Sequence, residues 1–128
     1  MRIIKKVLVI ILIFMAIVAT CIGMLVYEID YAKHEVETSS SDNGQHSLTI
    51  YQIGDADWPF GATHCRLDLY KEKSLIKKYS FDLSNDGKIV DKNNFDISWQ
   101  EGSVTVLAMA EEQTDVYYQI SFDGKVET

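Results

Sequence analysis

The stretch 95-FDISWQEGSVTVLAM-109 decides the fold. Phe95, Ile97 and Trp99 alternate with Asp96, Ser98 and Gln100, and a second alternating run follows after Glu101-Gly102. Side chains on a strand point to opposite faces with a period of two, so an apolar set on one phase means one buried face. Two alternating runs joined by a two-residue link that ends in glycine predict a β-hairpin, since glycine takes the positive φ of a tight turn. Residues 95–109 are therefore read as two antiparallel strands.

Working outward, the same period recurs in four further segments: Ser47 to Ile53, Cys65 to Lys71, Ile76 to Leu83 and Val116 to Phe122. Cys65, Leu67 and Leu69 face inward in this reading, with Arg66, Asp68 and Tyr70 outward; Tyr79, Phe81 and Leu83 oppose Lys78, Ser80 and Asp82. No stretch beyond residue 46 carries a helical apolar stripe able to cover a sheet, so the strands must cover one another. The expected fold class is all-β: a small antiparallel β-sandwich of about six strands over 47–128, with a partly open barrel as the alternative. Trp99 is expected to face the opposite sheet near Tyr118 or Phe81.

The N-terminal part differs in kind. Residues 1–6 are a basic flank, and Val7 to Tyr27 contain no charged side chain. A helix over those residues, at about 1.5 Å each, matches the roughly 30 Å hydrocarbon core of a bilayer. Arg2, Lys5 and Lys6 precede it, whereas all nineteen acidic residues follow it. Basic flanks stay cytoplasmic, which predicts a single-pass anchor, N-terminus inside and the β-domain extracytoplasmic. A cleaved signal peptide is one rival; a lipoprotein anchored at Cys21, from Val18-Ala19-Thr20-Cys21, is the other. Threonine before the cysteine and the apolar run after it weigh against lipidation. Residues 28–46, polar and ending in a Ser/Asp/Asn/Gly run, are expected to be a stalk, with His34 and His46 solvated.

Composition narrows function mainly by exclusion. Residues 28–128 hold nine basic and nineteen acidic side chains, with no basic cluster, which argues against nucleic acid. The two cysteines lie in different phases and predict no internal disulfide, leaving Cys65 as a small buried hydrophobe. Three scattered histidines, no nucleophile elbow and no phosphate loop give no catalytic constellation, and Glu111 with Glu112 read as a solvated turn. No enzyme activity and no cofactor are expected.

Two segments carry more than framework. In 82-DLSNDGKIVDKN-93, Asp82, Ser84, Asp86 and Gly87 occupy the first, third, fifth and sixth positions of a calcium loop, yet Asn93 stands where a bidentate carboxylate belongs. The favoured reading is an Asn-Asp-Gly turn, with a calcium or small-ligand sensor as the alternative. In 55-DADWPFGATHC-65, Asp55, Asp57, His64 and Cys65 could be weighed as metal ligands, but His64 and Cys65 should point to opposite faces. Trp58 and Phe60 flank the only proline. They are expected to plug the open end of the sandwich with Asp55 and Asp57 at the solvated rim, the favoured reading, or to present one ring as a binding anchor, which makes Trp58, Phe60, Asp55 and Asp57 the candidate binding residues.

With WPFGATHC, SNDG, FDISW and AEEQ placed in that order, residues 47–124 resemble a group of small membrane- or lipid-anchored exported bacterial proteins of unknown function with one compact β-domain. The resemblance implies a surface protein and brings no activity or site residue. The expected role is an interaction module for a protein, peptide or envelope polymer, of which an immunity or inhibitor protein is a special case.

Overall fold

A computed structural model describes residues 1–128. Helix α1 runs from Arg2 to Asp30, and none of its residues is buried. It is long and apolar enough to cross a membrane, with mean hydropathy 3.0 over its most apolar window. Its uninterrupted β-branched and aliphatic surface has no protein partner, so the apolar face is left for lipid or for another chain.

Eight strands follow: β1 (Lys33–Ser40), β2 (His46–Ile53), β3 (Thr63–Lys71), β4 (Ser74–Leu83), β5 (Phe95–Gln100), β6 (Ser103–Ala108), β7 (Val116–Ser121) and β8 (Val126–Glu127). They form two four-stranded antiparallel sheets, ordered β1-β2-β3-β4 and β5-β6-β7-β8, with every strand beside its sequence neighbour. No strand pairing joins the sheets, so the barrel alternative is not the arrangement found. The 95–109 hairpin forms as expected, Gln100 opposite Ser103 and Gly102 at φ 83°.

One apolar core lies between the sheets. Leu48, Ile50, Leu67, Leu69 and Leu83 from the first sheet and Val104, Val106, Ala108 and Ile120 from the second are all fully buried. Aromatic rings interlock across the gap: Phe81 lies 4.8 Å from Tyr118 and edge-on to Phe95 at 6.1 Å. Such pairs add directional preference to the burial of a large apolar area.

The structure departs from expectation where local pattern is weak. Eight strands are present rather than about six. The segment 28–46 is not a free stalk: α1 continues to Asp30, and Lys33–Ser40 pairs along β2, shielding an edge that would otherwise expose its hydrogen-bonding groups. His46 is buried, stacked on Phe122 with ring centres 3.7 Å apart. Trp99 is half-buried and does face the opposite sheet, but its neighbours are Phe122 at 6.3 Å and Ser39, whose Oγ accepts the indole N–H at 2.9 Å. Asp68 points outward as expected yet is only 1% exposed, because Arg66 lies over it and donates from Nε and Nη2 at 2.8 and 3.0 Å. A charge so covered is tolerable only when paired in this way.

Candidate functional site

Three connections gather at one end of the strands: the β2–β3 loop, the long link after β4 and the β6–β7 loop. Buried Gln52 ties the first two together, its Nε2 donating to the Gly54 carbonyl at 2.9 Å and its Oε1 accepting from the Val90 amide at 3.0 Å. Across the second and third, Lys88 pairs with Glu111 at 2.6 Å, and the Glu112 amide donates to the Ser84 carbonyl at 3.1 Å. The end of α1 joins the same place: Gly54 donates to the Ala32 carbonyl and Asp55 to the Ile29 carbonyl.

Gly54 makes that junction possible. It sits at φ 67°, and a Cβ there would overlap the Ile29 carbonyl oxygen and lie 2.7 Å from the Asp30 carbonyl carbon. Only glycine combines positive φ with so close a backbone approach.

Beyond Gly54 the loop pinches shut. The Asp57 amide donates to the Ala62 carbonyl at 3.0 Å and Gly61 donates back to the Asp57 carbonyl at 2.6 Å. The tip, Trp58, cis-Pro59 and Phe60, is pushed outward by this closure. Trp58 is 92% exposed and Phe60 70% exposed, so neither ring plugs the core and the favoured expectation fails. The end of the core is closed instead by Gln52, Thr63, Leu83 and Val90, all buried. Nearby Ile89 is 82% exposed and lines a cleft of about 380 Å³ with Trp58, Pro59 and Asp55. Large apolar side chains gathered on the surface mark contact sites more often than isolated ones do.

One ionic brace holds the loop against the sheet. His64 donates from Nδ1 to Asp82 at 2.6 Å, and its Nε2 lies 2.9 Å from Asp57. Two acceptors on the two ring nitrogens suit the imidazolium, since the neutral ring has one donor only. Accordingly the hydrogen bond to Asp82, then that to Asp57, raise the His64 pKa above its usual 6.5. All three side chains are substantially exposed, so the brace is a solvent-screened one.

The sequence-predicted site residues are thus only partly united. Asp57, Trp58 and Phe60 share one loop tip, while Asp55 stands at its base beside α1, its amide on Ile29. For a transition metal, Asp57 and His64 do meet, but Cys65 lies on the other face, buried, with its thiol pKa pushed up to about 12 by desolvation and the nearby Asp82 charge. Asp57 and Asp82 address opposite nitrogens of one ring and so cannot share an ion through it. For calcium, Asp82 is engaged by His64, the Ser84 amide binds Gln113 Oε1 at 2.8 Å, and Asp86 and Gly87 take the two positive-φ positions of a turn. Asp91 caps the short 3₁₀ turn Lys92–Asn94. No three His, Cys, Asp or Glu side chains converge as metal ligands.

Sequence reading missed the Asp57–His64–Asp82 brace and the exposed Ile89. The available signal was that His64 and Asp82 both stand on the outward phase of neighbouring strands. No protein-family model, curated protein or solved structure matches the chain. What the molecule displays is a pair of antiparallel sheets about one core, carried on an apolar helix, with an apolar loop tip beside the helix end.

Proposed function

We propose that the chain is a non-catalytic binding module, an extracytoplasmic β-sandwich held at the membrane by α1, and that the Trp58–Phe60 loop is its contact surface. The carrying observation is the near-complete exposure of Trp58 on a loop pinned at both ends to rigid structure. An aromatic ring left in water forgoes the stabilisation of burial, about 1.5–3 kcal/mol for a side chain of that kind. Held in place beforehand, it can be buried against a target at little further cost in conformational entropy. Asp55 and Asp57 give the surface an acidic rim, and the net acidic balance of residues 28–128 supports a target other than nucleic acid.

Export and orientation rest on the basic residues before α1 and the acidic domain after it. A photo-crosslinking amino acid placed at position 58 or 60 of the anchored chain in cells should give adducts. The same probe at Asp96, exposed on the outer face of β5, should give none. Failure of positions 58 and 60 to react with anything but water would remove the contact surface from the reading.

A further inference from the structure

The loop tip lies at the one end of the domain from which α1 departs. Ile29 is two residues past Tyr27, the last of the uncharged run, so the backbone of Asp55 bonded to it sits about 3 Å along the helix axis beyond the apolar segment. The headgroup layer on each side of a bilayer is roughly 5–7 Å deep. With α1 across a membrane, Asp55 falls within that layer, and Trp58, three residues on, is within about 10 Å of it.

The side chains around the helix end suit that layer. Tyr27 on α1 and Tyr31, the residue just past its end, are 60% and 64% exposed, and a cleft of about 320 Å³ between the helix end and the domain is lined by Glu28, Asp55 and Ile89. Ile89 lines both this cleft and the one beside Trp58, and so stands between the helix end and the loop tip. Tryptophan and tyrosine collect at the membrane–water boundary because each has an apolar body and a polar edge. Glu28, Asp30, Asp55 and Asp57 add carboxylates next to these groups in the chain, a charge complementary to headgroup ammonium groups.

We infer that Trp58, Phe60 and Ile89, together with Tyr27 and Tyr31, are an interfacial belt that docks the β-domain onto the phospholipid headgroup layer of the membrane crossed by α1. The inference rests on the membrane-anchored reading of the helix and names the partner of the proposed contact surface as lipid. Docking at the belt fixes the tilt of the domain. The opposite end, where Ser39 bonds Trp99, is then held away from the lipid, six β-strand residues or about 20 Å farther along β1.

The chain contains two tryptophans, one at each end of the domain, which supplies an internal control. The full chain is reconstituted into phosphatidylcholine vesicles whose acyl chains carry bromine just below the headgroup. Quenching of Trp58 alone lowers total tryptophan emission by about half, and Trp58→Ser, which keeps only Trp99, shows no such loss. Equal quenching of both chains, or quenching of neither, while the chain resists carbonate extraction, overturns the belt and leaves the anchor intact. Unquenched Trp58 together with a protein adduct at position 58 in cells assigns the surface to a protein instead. Release of the chain by carbonate overturns the anchor, and the belt with it.

Discussion

Gly54→Ala tests the junction on which the placement of the loop depends. Alanine at φ 67° incurs about 1–2 kcal/mol for the left-handed backbone alone. Its methyl group would also meet the Ile29 carbonyl oxygen and the Asp30 backbone, and neither is the movable end of a flexible side chain. The overlap is relieved by parting the strand end from the helix end, which gives up the Gly54–Ala32 and Asp55–Ile29 hydrogen bonds. Each is worth about 1 kcal/mol net. The total is about 3–4 kcal/mol, or a fall of roughly 12–30 °C in melting temperature for a domain of this size. Calorimetry of the full chain in lipid reads the first quantity, and hydrogen exchange at the Asp55 amide reads the parting itself. If relief is purely local, the melting shift shrinks while the Asp55 amide loses its protection. An unchanged melting temperature with an unchanged Asp55 exchange rate would refute the junction.

Two further outcomes are expected. Trp99→Ala removes a half-buried indole and its bond to Ser39, at about 2–3 kcal/mol, below the usual range for a fully buried ring. Trp99→Phe keeps most of the packing and loses about 1 kcal/mol, so urea midpoints of equal value for the two variants would contradict the observed contacts. For His64 the folded pKa is raised, so the brace contributes its full stability below the unfolded value of 6.5, where the carboxylates are still ionised, and loses it as pH rises through the higher folded value. The stability difference between the parent and His64→Gln, followed by calorimetry from mildly acidic to mildly alkaline pH, should shrink across that interval. A difference independent of pH would show that the imidazolium contributes nothing.

What the sequence alone makes legible depends on what each feature requires. An uncharged run of membrane length fixes a helix by hydrophobicity alone, and the 95–109 hairpin needs only alternation and a glycine. Strands β2 to β7 were readable for the same reason, since a sheet with one buried face imposes its period on the sequence. Strand β1 was not: KHEVETSS lacks alternation, and a bulge between Glu35 and Glu37 changes which phase faces inward. It becomes a strand because β2 offers an unpaired edge, which is a property of the neighbour. Strand β8, two residues long, is equally a product of pairing with β7.

The site shows the same division more sharply. Trp58, Pro59 and Phe60 announced a shaped loop, but whether the rings turn in or out depends on how completely other residues close the core. Buried Gln52, Thr63 and Val90 decide that, and they come from three different segments. The His64 brace was hidden by geometry of one residue. Counting back from the turn at Glu72 and Lys73 in strict register sets His64 opposite Phe81, whereas the bulge between Leu69 and Tyr70 moves it opposite Asp82. By itself, then, the sequence determined the helix, the β class and the position of the exceptional loop, because each rests on periodicity or hydrophobicity within a single segment. Only the tertiary structure decided the pairing of β1, the His64–Asp82 contact and the outward turn of Trp58 beside the helix end, because each depends on register and space set by distant segments.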